Sequence, residues 1–251
     1  MREVGMGEAG TIPPGTISAG TVPAGAVPAG AVPAGAVPAG AVPAGAVPAG
    51  AVPAGAGGTG GGRLRLAVII GSTRRGRFGP TVAEWFAGRA RRRPDLDVDL
   101  VDLAACALPQ ALPDEDEPAP PAVAALGRRL AAADGFAVVT PEYNRGYPGV
   151  LKTAIDWYYD EWRAKPVAVV SYGRESGGLQ AAAQLREVFT ELEAVPIRDG
   201  VALPCYWRDF AADGSWPKTG AECNTTVTTT LDRLSWWARA LRDARIAHPY
   251  G

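Results

Sequence analysis

Five short apolar runs, each closed by a turn and followed by a stretch of helical periodicity, constrain this chain more than any other feature. Leu64–Ile70 (LRLAVII) is nearly all apolar and ends at Gly71, as a strand buried on both faces does. Gly79 and Pro80 then open a helix carrying Val82, Trp85, Phe86 and Ala90 on one side, which Pro94 is expected to end. Asp97–Leu103 (DVDLVDL) alternates instead of being solidly apolar, which suits an edge strand. A proline-rich loop with Asp114–Glu117 leads to a helix near Ala122–Ala133. The series continues with strand Gly135–Thr140, helix Gly149–Trp162, strand Pro166–Ser171, helix Gly178–Glu193 and strand Ile197–Leu203. In helix Gly178–Glu193, Leu185, Val188, Phe189 and Leu192 share one side. An irregular stretch to about Cys223 precedes a last helix with Val227, Leu231, Leu234 and Leu241 inward.

Strands alternating with helices in this way predict an α/β fold with an open, doubly wound parallel sheet. With the alternating second strand at the edge, the five-stranded order becomes 2-1-3-4-5, the flavodoxin-like order. Ligands of such sheets sit beyond the carboxyl ends of strands 1, 3 and 4, beside the point where the strand order reverses.

The body that carries this pattern spans 63–251. Before it, Thr11–Gly55 repeats every five residues as TIPPG, TISAG, TVPAG and then AVPAG six times, and a Gly-rich spacer follows. Proline at this period removes donors and excludes helix, while nothing bulkier than Val or Ile is present to bury. Residues 1–62 are therefore read as a disordered tail with elastin-like units, open to two further readings: a self-associating segment, or a repetitive DNA stretch ahead of the true start. The body holds 24 basic and 24 acidic residues, a balance that gives no electrostatic footprint for nucleic acid or an anionic membrane. Neither a signal peptide nor a membrane span is read in the chain. Cys106, Cys205 and Cys223 lack CxxC spacing, which argues against disulfides or zinc, and the expected location is the cytoplasm.

Three loops fall at the predicted binding rim. The first, Gly71-Ser72-Thr73-Arg74-Arg75-Gly76-Arg77-Phe78-Gly79, sets hydroxyls, guanidinium groups and Gly-freed amides ahead of a helix, which suits a phosphate monoester. Its Gly71…Gly76 spacing mimics a nucleoside-triphosphate loop, but Arg77 and Phe78 replace the Lys and Ser/Thr that such a loop needs for magnesium, so phosphate without metal is expected. The second, TPEYNRGYPGVLKTAIDW from Thr140 to Trp157, offers the rings of Tyr143 and Tyr147 to a planar heterocycle and fixes its backbone route with Pro141, Gly146 and Pro148-Gly149. Lys152 and Asp156 are four apart on the following helix and read as an ordinary ion pair. In the third, SYGRESGG from Ser171 to Gly178, the glycines either admit a ligand close to the backbone or simply make a tight turn.

These three stretches, with GSTRRGR after strand 1 and SYGRESGGLQAAAQLREVF after strand 4, resemble the NAD(P)H-dependent FMN reductase family over about 66–203. The resemblance implies a flavodoxin-like domain binding FMN non-covalently, with NADPH or NADH as co-substrate, and a homodimer or homotetramer with flavin sites near the subunit interface. It places Ser72, Arg74 and Arg77, with Thr73 beside them, at the FMN phosphate. It places Pro141, Glu142, Tyr143 and Asn144 at the edge of the isoalloxazine, largely through backbone, and Ser171, Gly173 and Gly177 at the ring's other end. The chain departs from the family in Arg77-Phe78-Gly79 and in Lys-Thr-Ala-Ile-Asp, and 205–222 lies outside the resemblance as a lid or an interface element.

The function expected is hydride transfer from NAD(P)H through FMN to a small-molecule acceptor such as free flavin, a quinone or an azo compound. No catalytic side chain is named: His248, the one histidine, lies three residues from the end, which excludes hydrolytic triads. Arg145 and Arg174 stand where the extra phosphate of NADPH could be met. A flavodoxin-type electron carrier is the rival reading, disfavoured by the neutral body, and a flavin-free interaction module of the same fold is a third.

Overall fold

The computed structural model describes residues 62–112, 118–209, 216 and 221–250. The repeat tail, the acidic stretch 114–117 and most of 210–220 lie outside them.

Strand β1 (Leu64–Ile70) occupies the middle of the sheet between β2 (Leu96–Asp102) and β3 (Gly135–Pro141), with β4 (Pro166–Gly173) beyond β3. All four are parallel, in the predicted order. Edge position explains the composition of β2: its one sheet neighbour is β1, and it remains half-solvated along its length.

The fifth position is where prediction and structure part. Instead of one strand over Ile197–Leu203, two short strands, β5 (Val195–Pro196) and β6 (Val201–Pro204), both pair with β4. Between Val167 and Val170 β4 advances three residues while its partner advances five, from Pro196 to Val201. The strand bulges because Pro196 lacks a ladder donor and Gly200 is pressed against the Val169 carbonyl, where an added Cβ would sit 2.7 Å from the oxygen.

Strand pleating sorts the core. Leu64, Leu66, Val68 and Ile70 of β1, Ala137 and Val139 of β3, and Ala168, Val170 and Tyr172 of β4 face α1 (Gly79–Arg91) and α6 (Ala221–Ala247). Ala67 and Ile69, Phe136 and Val138, and Val167 and Val169 face α3 (Pro121–Ala131), α4 (Gly149–Asp156) and α5 (Leu179–Glu191). A single turn of helix, α2 (Leu103–Cys106), follows β2 and is capped by Asp102, whose carboxylate accepts the Ala104 amide at 3.0 Å. In α6, Val227, Leu231 and Leu234 are buried as expected, whereas Leu241 is half-exposed. Helix α4 stops well short of Trp162. Chain reversal there is held by Trp162, whose indole N–H donates to the Ile155 carbonyl at 3.1 Å, and by Trp157, whose indole reaches Pro109 O at 3.0 Å. No described helix is long and apolar enough to cross a membrane.

Candidate active site

The loops after β1, β3 and β4 meet at one rim of the sheet, and side chains lock them to one another. Ser72 is fully buried, and its hydroxyl lies 2.9 Å from the Tyr143 hydroxyl, joining the first loop to the second. Glu142 joins the second loop to the third: its carboxylate accepts from Ser176 Oγ at 3.3 Å and from the Gln180 amide at 3.0 Å. That bond also sets a negative charge on the first turn of α5, where the helix dipole favours it.

Among the described residues, no carbonyl accepts the backbone N–H groups of Ser72, Thr73, Arg74, Arg75 or Gly76, which form an amide-rich turn before α1. Gly76, at φ +65°, allows this turn. The N-cap of α1, Phe78, supplies no side-chain acceptor for the first amides of the helix. Arg77 is otherwise engaged. Its guanidinium grips Asp102 in a two-pronged bond, at 2.6 and 2.5 Å, and donates to Ser72 O at 2.5 Å. The pair raises the Arg77 pKa and holds the Asp102 carboxyl below the usual carboxylate range. Arg77 therefore braces the first loop against β2, while Thr73 and Arg74 stay exposed.

Two clefts open on the rim and share Arg74, Glu142, Tyr143 and Arg174. The smaller, of about 380 Å³, is walled by Pro141, Tyr172, Gly173, Tyr206 and Trp207. The larger, of about 610 Å³, adds Asn144 and Arg145. The aromatic wall comes from outside the three loops: Tyr206 stacks on Phe78 with centroids 4.5 Å apart and meets Tyr172 edge-on at 5.1 Å, while Trp207 is 43% exposed. Burial pushes the Tyr172 phenol above its ordinary range, so it stays protonated.

Several expectations change here. Tyr147 gives no ring to the rim: it packs, half-buried, against the core under α3–α5. Ser171 is buried and donates its hydroxyl to Gly177 O at 2.9 Å, and the Gly177 amide closes a turn on Arg174 O at 3.0 Å. Gly177 and Gly178 serve the tight turn, while Gly173 lines the smaller cleft. A Cβ on Gly178 (φ +88°) would lie 2.7 Å from that of Ser171, and one on Gly177 would meet the backbone of Leu203 and Pro204. Lys152 and Asp156 form the predicted i,i+4 ion pair at 2.6 Å. Of the segment left open between lid and interface, the described residues Tyr206, Trp207 and Trp216 form a wall of the cleft and its aromatic backing. Sequence reading also missed Asp102 and Tyr172. Asp102 was legible as the last residue of an edge strand, at the binding rim. Tyr172 lay inside a quoted motif, in phase with the inward Ala168 and Val170.

A doubly wound sheet with an amide-rich turn and a flat aromatic cleft at its switch point defines a mononucleotide-binding α/β protein. The chain belongs to the NADPH-dependent FMN reductase family, which it matches over residues 64–208, and is thereby an FMN-dependent oxidoreductase that uses NAD(P)H. It is 38% identical over 152 residues to an NAD(P)H-dependent FMN reductase of Schizosaccharomyces pombe, covering 56% of this chain and 74% of that one. A 2-hydroxy-1,4-benzoquinone reductase of a Burkholderia species is 37% identical over 187 residues, 71% of this chain and 98% of its own. Among solved structures, the flavoenzyme NAD(P)H:(acceptor) oxidoreductase FerB of Paracoccus denitrificans superposes with a TM-score of 0.59 at 28% identity, covering 70% of this chain and 98% of the other.

Proposed function

We propose that the rim between β1, β3 and β4 holds FMN and that the enzyme reduces small planar acceptors of the quinone class. The observation that carries this reading is the run of amides from Ser72 to Gly76 that no carbonyl accepts among the described residues, with the exposed Arg74 beside them, next to an aromatic-walled cleft. Donors already aimed outward bind a phosphate monoester without reorganising, and a flat cleft suits a tricyclic ring. When bound, FMN supplies the hydride-accepting and hydride-donating chemistry. The chain's residues do the rest. The first loop and Arg74 anchor the phosphate, and Thr73 adds a hydroxyl donor. Pro141, Glu142, Tyr143 and Asn144 set the backbone along the ring edge, with Gly173 at the far end. Ser171, Gly177 and Arg77 act one step back, by holding the third and first loops in shape. Tyr206 and Trp207 exclude water from one side. The quinone class rests on the Burkholderia relative, which matches the chain along nearly its whole length.

Anaerobic titration tests the reading. The purified protein is expected to carry bands near ~370 and ~450 nm, typical of bound flavin, and to bleach rapidly with NADPH or NADH before a quinone restores the colour. A colourless protein that takes up no FMN, or a flavin that bleaches only sluggishly, as in an electron carrier, would overturn it.

In the same proposal the enzyme is a cytoplasmic homo-oligomer. Free thiols at Cys106 and Cys205 suit a reducing compartment, and the exposed rings of Tyr159 and Trp236 are surface that a second copy would cover. Residues 1–62 are proposed to be dispensable, and deleting them is expected to leave flavin content and turnover intact.

A further inference from the structure

Beyond the three loops, one wall of the smaller cleft is braced from several directions. After β6 the chain turns at Cys205, whose φ of 46° lies in the left-handed region that L side chains enter at a cost. Its amide donates to two carbonyls where β4 runs into the third loop, Gly173 O at 3.0 Å and Arg174 O at 3.1 Å. A single helical turn, Tyr206–Arg208, follows and is closed by the Arg208 amide on Cys205 O at 2.8 Å. Tyr206 is fixed by the rings of Phe78 and Tyr172, and its carbonyl accepts the Trp216 indole N–H at 2.8 Å. Strain held by so many contacts beside a binding cleft points to a use for what the turn carries.

The turn carries Trp207. Its ring meets Tyr206 edge-on at 5.1 Å and lines the smaller cleft with nearly half of its surface exposed. Tyr143, also partly exposed, lines the same cleft. An indole presented this way offers a wide flat face, and because its backbone is already fixed, little conformational freedom is lost when a flat ligand covers it. The residues assigned to FMN come from the phosphate turn, the Pro141–Asn144 edge and Gly173, all within the three loops. Trp207 lies outside them, which leaves its face to a second ligand in the same cleft.

Resting on the functional reading above, we infer that Trp207 is the platform for the planar acceptor and makes the enzyme favour fused two-ring quinones over single-ring ones. A neutral quinone carries no charged handle, so contact area must supply its binding, whereas NAD(P)H also brings phosphates and sugars. A second fused ring adds apolar area against the indole while leaving the reducible carbonyls as they are.

The test compares the flavin-loaded full chain with Trp207→Ala and Trp207→Phe. The ratio of kcat/KM for 1,4-naphthoquinone to that for 1,4-benzoquinone is expected to fall about five- to tenfold in Trp207→Ala, through KM and not kcat. Trp207→Phe, which keeps a flat ring, is expected to recover most of it. Comparing each variant with the parent cancels the difference in potential between the two quinones. Calorimetric titration of the oxidised holoenzyme with 1,4-naphthoquinone gives a readout free of turnover, and its Kd is expected to rise by the same factor in Trp207→Ala. In flavin-loaded protein, an unchanged ratio and Kd would overturn the inference alone. Weaker FMN retention, or a higher KM for NADPH, with the quinone ratio unaffected would assign Trp207 to the flavin or the dinucleotide and overturn it as well. A protein that never takes up flavin would instead sink the functional reading beneath it.

Discussion

Arg77 on the loop after β1 and Asp102 at the end of β2 hold each other in a two-pronged bond at 2.5 and 2.6 Å. Through it, the edge strand of the sheet supports the turn assigned to the flavin phosphate. Asp102→Asn is expected to weaken FMN retention by several-fold and to cost about 1–2 kcal/mol of stability, the low end for a charged bond because both groups are partly solvated. The sign of the pH dependence follows from the depressed Asp102 pKa. The contribution is present above the unfolded carboxyl value near ~3.9 and is lost as pH falls through the lower folded value. Urea unfolding of parent and variant should therefore converge in acid, and a gap that persists at low pH would mean the bond does something else.

The hydroxyl contact between Ser72 and Tyr143 couples the phosphate turn to the ring edge. Tyr143→Phe keeps the ring and deletes the contact. FMN affinity, measured by recovery of flavin fluorescence, is expected to drop by about 0.5–1.5 kcal/mol with little change in thermal stability. Arg74→Ala is expected to lose more, about 1.5–3 kcal/mol, since a charge-assisted bond is removed. An Arg74 variant that binds FMN like the parent would take the first loop out of the site.

Two glycines with positive φ separate strain from collision. Gly76 has nothing within 4 Å of an added Cβ, whereas Gly178 would drive one to 2.7 Å from Ser171 Cβ. Gly76→Ala is expected to cost only about 1 kcal/mol for the left-handed backbone. Gly178→Ala should cost about 3 kcal/mol or more and also release flavin, because the third loop must move. Equal destabilisation of the two in denaturant titrations would show that this loop yields freely.

Lys165, at the foot of β4, is almost wholly buried and donates to the terminal carbonyls of α3, Leu130 O at 3.0 Å and Ala131 O at 2.9 Å. Burial pushes its pKa down to about 8. The folded state then binds fewer protons than the unfolded chain between pH 8 and the ordinary lysine value near ~10.4, so stability rises with pH across that window. Full relief amounts to about 3 kcal/mol. Between pH 7.5 and 9.5 the parent is expected to gain stability relative to Lys165→Met, which lacks the titration even though it is weaker overall; parallel curves would refute this.

The order of the strands, the inward faces of the helices and the three loops that meet at the rim were all legible along the chain. Each is written in local periodicity and local turn chemistry: apolar runs of strand length, one-sided helices, and Gly, Pro and hydroxyl residues where strands end. What required tertiary structure is of another kind. Whether Arg77 faces a ligand or Asp102, whether Ser171 is a ligand group or an internal donor, and whether Gly177 admits a cofactor or a neighbouring strand depend on partners 6 to 27 residues away in sequence. The same holds for the bulge that divides β5 from β6 and for the aromatic wall that Tyr206 builds against Phe78, 128 residues earlier. Residue type determines what a group is able to bond. Only packing decides which bond it makes, because a buried donor or acceptor is satisfied by whatever the fold brings within about 3 Å of it.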